Sequence, residues 1–113
     1  MRELMTDKLV FGQIADVAAL DEAIAHSQTD TVILFNHDPY CPVSAAAFEE
    51  MSDAAGDVRL IDVARHRDIT RELARRTGVR HESPQVIVLR DGEAVWSASH
   101  FRITAQAVAR AVS

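Results

Sequence analysis

Thr31-Val32-Ile33-Leu34-Phe35-Asn36-His37-Asp38-Pro39-Tyr40-Cys41-Pro42-Val43-Ser44-Ala45-Ala46-Ala47-Phe48 contains the change of pattern that decides the architecture. The run 31–35 is apolar and β-branched, the composition of a buried strand. The small residues at 44–47, followed by Phe48, Glu49, Glu50 and Met51, have a helical composition. Cys41 therefore sits where a strand ends and a helix begins. Pro42 sharpens that placement, because proline is favoured in a helix's first turn, where its missing N–H costs nothing. Cys41 is then the cap, and the N–H groups of Val43 and Ser44 are free to point at its sulfur. Those groups and the helix dipole favour an anion there, and thiols so placed ionise more readily than a free cysteine. The expectation is a nucleophile. The alternative is a buried, inert cysteine, since unpaired Cys is among the most buried residue types; the strand-end position and the Cys-Pro junction favour the reactive reading.

Working outward, Leu9-Val10-Phe11 reads as a brief edge strand. A helix begins after Asp16, a suitable N-cap, with Val17, Leu20, Ala23 and Ile24 on one face. The loop 27–30 leads into the strand at 31–35. The helix after Cys41 is expected to end near Ala55-Gly56, and 58–63 reads as the next strand. Strand, helix and strand make a right-handed βαβ unit with parallel strands. A polar helix over 68–77 follows, with Ile69 and Leu73 on one side and Gly78 as its stop. Strands at 85–90 and 93–97 flank Asp91-Gly92, a strong hairpin signal, and Trp96 reads as a hairpin core residue. Thr104 caps a last helix whose apolar side is Ala107, Val108, Ala111 and Val112. The order (β)αβαβαββα predicts an α/β fold of thioredoxin-like topology, in which helices flank a central mixed sheet of four or five strands (βαβ plus ββα). Such open sheets carry their sites beyond strand C-termini, where Cys41 lies.

The chain has 113 residues, a net charge of −5 and a pI near 5.4. That length is expected to form one domain, residues 1–113. The acidic balance argues against nucleic acid and against anionic membrane surfaces. Arg71, Arg75, Arg76 and Arg80 recur at helical spacing and read as a solvated helix face. One cysteine excludes an intrachain disulfide and leaves no framework of Cys pairs for a metal. No cofactor is expected. The N-terminal residues show neither a signal peptide nor a membrane span, so the cytoplasm is the expected location.

Ser83-Pro84, just before the strand at 85–90, is the other informative pair. Proline is tolerated at a strand's first position because it need not donate to the ladder. Given the topology, this bond is expected to be cis and packed against the Cys41 loop, with the Ser83 backbone turned outward toward an extended thiol-bearing ligand. Ser44 falls where a Cys-x-x-Cys motif has its second sulfur. Its hydroxyl is positioned to hydrogen-bond the Cys41 thiolate or to satisfy first-turn backbone, but it cannot resolve a disulfide. A one-cysteine route follows, in which Cys41 takes a small thiol from a mixed disulfide and releases a protein thiol. Tyr40 reads either as a stacking surface for that thiol or as a plain rim aromatic. His37 and Asp38 pull the thiol in opposite directions, and His81 reads as loop polarity.

Cys41-Pro42-Val43-Ser44 together with His81-Glu82-Ser83-Pro84-Gln85 resembles the monothiol bacilliredoxins of the YtxJ type, thioredoxin-like proteins of the bacillithiol redox system. The likeness runs from about residue 9 to 112. It implies that Cys41 is the exchange nucleophile, that Ser44 replaces a resolving cysteine, and that Pro84 is the cis proline opposite. From the residues themselves, Tyr40, Pro42, Ser83 and Pro84 are expected to form the binding surface. The partners implied are a low-molecular-weight thiol (bacillithiol, glutathione or similar) and S-thiolated client proteins. Where the family tends to carry a Thr-Arg-like pair, this chain has Pro39-Tyr40, which keeps glutathione beside bacillithiol as the thiol. Two other readings stay open: a non-catalytic thioredoxin-like binding module, and a glutaredoxin-like iron–sulfur cluster carrier.

Overall fold

Residues 11–113 are described by a computed structural model. Five strands form one sheet in the order β1-β3-β2-β4-β5. They are β1 (Gly12–Gln13), β2 (Val32–His37), β3 (Asp57–Asp62), β4 (Gln85–Arg90) and β5 (Glu93–Ser99). Strands β1, β3 and β2 are mutually parallel, whereas β4 runs antiparallel to both β2 and β5. Three helices connect strands, α1 (Val17–His26), α2 (Pro42–Ser52) and α3 (Arg67–Thr77), and α4 (Ala105–Val112) follows β5. A 3-10 turn at His100–Arg102 joins β5 to α4. The expected βαβ and ββα units are both present. No helix among the described residues is long and apolar enough to cross a membrane.

Central position explains why β2 is apolar without alternation. Both of its faces are covered, so residues pointing either way must be hydrophobic. Val32 and Leu34 join Leu20, Ala23, Ile69 and Leu73 beneath α1 and α3. Ile33 and Phe35 join Ala47, Met51 and Val108 beneath α2 and α4. Trp96 packs, half-buried, against this second cluster, as expected of a hairpin core residue.

The punctuation residues act where the sequence places them. Asp16 Oδ1 accepts from the Ala19 N–H at 2.7 Å, and Thr104 Oγ1 accepts from the Ala107 N–H at 3.0 Å. Gly78 closes α3 at φ 73°, its N–H donating to the Ala74 carbonyl. Asp91 and Gly92 have φ of 57° and 80°, the paired positive values of the tight hairpin turn. Ser27 anchors that turn, accepting from Asp91 N–H through its carbonyl and from Gly92 N–H through its hydroxyl.

Beyond shifts of one or two residues at β3, α3 and β5, three boundaries differ from expectation. Leu9 and Val10 lie outside the described residues, and the edge strand seen is Gly12–Gln13, with Phe11 buried in the core just before it. Helix α2 stops at Ser52, because the N–H groups of Asp53 and Ala54 turn back to the carbonyls three residues earlier and tighten the last turn. Strand β2 continues through Asn36 and His37, which remain in register with Ile61 and Asp62 on β3. That extension carries His37 to the edge of the Cys41 loop.

Candidate active site

A short loop, residues 38–41, joins β2 to α2 and is held by its own backbone. The Cys41 N–H donates to the Asp38 carbonyl at 3.1 Å, and Asp38 Oδ1 accepts from the Tyr40 N–H at 2.9 Å. Cys41 is the N-cap of α2 with extended φ and ψ of −112° and 123°, and Pro42 is the first helical residue. Cys41 is unpaired and, as a residue, partly exposed, so it is not one of the fully buried core positions. No first-turn amide donates to its sulfur in this structure, so the expected alignment of the Val43 and Ser44 N–H groups on the sulfur is not seen.

Ser44 has different partners from the sulfur suggested by its spacing. It is fully buried, and its Oγ accepts from the Asp38 N–H at 2.9 Å and lies 2.8 Å from His37 Nδ1. The hydroxyl thus ties the first turn of α2 to the end of β2, clamping the loop that presents Cys41. A buried Ser must satisfy its oxygen locally, and the Asp38 amide and the His37 ring are the groups within reach.

His37 packs against both Phe35 and Phe48, with ring centroids 5.3 and 5.0 Å away. Desolvation pushes its pKa below the ordinary 6.5, against Asp62, Asp38 and the Ser44 hydrogen bond, which raise it. The net direction favours a neutral ring whose Nδ1 accepts the Ser44 proton. Above pH 6.5 folded and unfolded chains both carry this ring neutral, and it adds no pH dependence. As pH falls below 6.5, the unfolded chain takes up a proton that the folded chain resists, so stability declines until the lowered pKa is passed. Urea unfolding at pH 7 and pH 5 should therefore show a smaller loss in His37→Gln than in the unmodified chain. An equal loss in both would rule out His37 as a source of the slope. His81, whose pKa is also lowered by desolvation, leaves some slope of the same sign in the variant.

The Ser83–Pro84 bond is cis. The pairing of Asn36 with Gln85 across β2 and β4 puts the Cys41 loop and the Ser83–Pro84 loop at the same end of the sheet. Gln85 organises the second loop: its Oε1 accepts from Asn36 Nδ2 at 2.9 Å, and its Nε2 donates to the Arg80 carbonyl at 2.8 Å. Pro84 is buried, and its carbonyl accepts from the His100 N–H at 3.1 Å. Ser83 keeps neither its N–H nor its carbonyl in a hydrogen bond among the described residues. Tyr40, 82% exposed, and Ser83 line one groove of about 490 Å³, whose other walls include Asp38, Arg67, Arg71 and His81.

Arg71, Arg75, Arg76 and Arg80 are expected on one solvated helix face; the structure leaves Arg80 beyond the end of α3, after Gly78, and divides the other three. Arg75 and Arg76 both bind Glu72, holding its carboxyl down to about 2, and Arg76 also meets Asp21. Arg71 instead lines the groove beside Arg67. The Asn36–Gln85 pair was also missed. Its only signal is a pair of amides set at the ends of two apolar runs, and what they touch depends on strand register. Among the described residues, no group of three His, Cys, Asp or Glu side chains is arranged to hold a metal ion.

Comparison with known proteins agrees with this fold. A solved structure named provisionally as an oxidoreductase with a thioredoxin fold is 26% identical and superposes with a TM-score of 0.87, over 95% of this chain and 97% of that one. Mitochondrial thioredoxin 3 of Saccharomyces cerevisiae, in oxidised form, gives a TM-score of 0.68 at 15% identity, covering 94% and 96% of the two chains. Thioredoxin of Fasciola hepatica gives 0.65 at 14% identity, covering 90% and 96%. The last two share the fold alone. The model of the family described as monothiol bacilliredoxin BrxC matches residues 12–108. With its lone cysteine capping α2 in a thioredoxin-fold sheet, the chain belongs to the monothiol bacilliredoxin family of thiol oxidoreductases.

Proposed function

We propose that this protein is a monothiol thiol–disulfide oxidoreductase that removes a low-molecular-weight thiol, bacillithiol or an analogue such as glutathione, from protein mixed disulfides. The observation that carries the reading is a partly exposed, unpaired cysteine at the start of α2, at the same end of the sheet as a peptide, Ser83, whose N–H and carbonyl are both unengaged among the described residues. An extended disulfide laid along Ser83 gains two main-chain hydrogen bonds, as strands do when they add to a sheet edge. Cys41 Sγ, as thiolate, attacks the small-thiol sulfur of the mixed disulfide. One S–S bond forms to Cys41 and one breaks, and the client leaves as its thiolate. A second small thiol then attacks the Cys41 adduct and leaves as the symmetrical disulfide, restoring Cys41; no net electrons enter the protein.

Ser44 contributes as a positioning residue through Asp38 and His37. Pro42 and Pro84 shape the two loops, and Tyr40 forms the rim over the bound thiol. A buried serine at position 44 has no sulfur with which to expel the adduct, which suits a one-cysteine cycle. A reducing compartment such as the cytoplasm suits a lone exchange thiol. The test is to mix the protein with a client S-thiolated by bacillithiol or glutathione and weigh both chains intact. The expected result is transfer of the thiol's mass from the client to Cys41. A client that keeps its adduct while Cys41 remains unmodified would overturn the proposal.

A further inference from the structure

We infer that the groove beside Cys41 is a seat for the carboxylate of the small thiol, with Arg67 and Arg71 as its recognition residues; this rests on the exchange reading of Cys41. The two arginines are four residues apart on α3, so they share one face, and both line the groove that Tyr40 and Ser83 also line. Tyr40 and Ser83 immediately precede Cys41 and Pro84 in the chain, so a ligand whose sulfur lies at Cys41 reaches the groove with its body. Neither Arg67 nor Arg71 is in an ion pair or side-chain hydrogen bond among the described residues, whereas Arg75 and Arg76 on the same helix are.

Charge argues in the same direction. A chain of net charge −5 here gathers two guanidinium groups, unpaired among the described residues, against one lining carboxylate, Asp38. One oxygen of Asp38 already accepts from the Tyr40 amide. The groove volume, about 490 Å³, lies within the usual range for small-molecule sites, roughly 300–1,000 Å³. Guanidinium forks match carboxylates in bidentate geometry, so the occupant with the best chemical fit is a thiol of peptide or acid type. A cationic or uncharged thiol lacks that fit.

The test compares three symmetrical disulfides as donors to Cys41: glutathione disulfide, which carries carboxylates, uncharged hydroxyethyl disulfide, and cationic cystamine. Cys41 Sγ attacks one sulfur, the other departs as thiolate, and intact mass follows the adduct. Arg67→Gln/Arg71→Gln should lower the ratio of rate constants for glutathione disulfide over hydroxyethyl disulfide by about tenfold or more, the worth of one to two charge-assisted hydrogen bonds. The ratio for cystamine over hydroxyethyl disulfide should rise. Arg110→Gln, which removes one positive charge from α4, should leave both ratios near their original values. Unchanged ratios in the double variant, with reaction intact, would overturn the carboxylate seat and leave the exchange function standing. Failure of all three disulfides to modify Cys41 would overturn the exchange function and this inference with it. Binding of S-methyl glutathione, which does not react, gives a second readout: it should weaken by a similar factor in the double variant, and equal binding in both proteins would count against the seat.

Discussion

Cys41→Ser should abolish transfer of a small thiol from client proteins while leaving the fold as stable as before or slightly more so. The loss is complete in principle, because a hydroxyl oxygen cannot form the S–S bond on which the cycle depends, and the chain has no other cysteine to substitute. The stability half follows from the cap. Cys41 caps α2 without a side-chain hydrogen bond, whereas serine is among the preferred N-cap residues and accepts from the first-turn amides. A gain of up to about 1 kcal/mol in unfolding free energy is expected. The paired measurement is a transfer assay and a urea titration on the same preparation. Residual transfer above the uncatalysed rate would show that the chemistry lies elsewhere. A large loss of stability would show that Cys41 contributes to packing and is not simply a presented thiol.

Phe35→Ala should be the most destabilising single truncation at the site's foundation. Phe35 is fully buried on the central strand. It packs edge-on against Phe11, with centroids 6.1 Å apart, and against Phe48 and His37 at 6.3 and 5.3 Å. Removing a buried ring costs about 3–5 kcal/mol from lost transfer free energy and the cavity left behind. Total stability for a domain is about 5–15 kcal/mol, so the variant should be marginal at 37 °C. Phe35→Leu, which retains most of the volume, should lose less than half as much. Chemical denaturation of the two variants checks the order. A loss under about 1 kcal/mol for the alanine variant would mean that the core closes over the gap and that this ring cluster does not support the loop. Phe48 is on α2 and His37 contacts Ser44, so the same cavity lies directly beneath the turn that presents Cys41.

The element order was legible because each signal in it is local. An apolar run, an Asp or Thr cap, a Pro at the first helical position and an Asp-Gly turn act within a few residues. All of these stand in the structure where their local chemistry puts them. Boundaries were less legible where pairing with a distant strand decides how far an element continues. The extension of β2 through Asn36 and His37 is such a case, maintained by register with Ile61, Asp62 and Gln85. The partners of polar side chains were hardest to read. From spacing alone, Ser44 points at Cys41, three residues away. In the fold its oxygen is buried and meets His37 and Asp38, seven and six residues away.

The sequence alone determined the sheet-and-helix order, the placement of the single cysteine at the entry to a helix, and the membership of the two loops in one recognisable pattern, because helix capping, turn chemistry and hydrophobic periodicity depend on neighbours along the chain. Tertiary structure alone decided which polar groups face one another. The Asn36–Gln85 contact spans 49 positions, and the groove joins Arg67 and Arg71 on one helix to Tyr40 and Ser83 on two separate loops. Such meetings are set by strand register and by the angle at which helices cover the sheet. Both are products of packing the whole core, and no short stretch of the chain contains them.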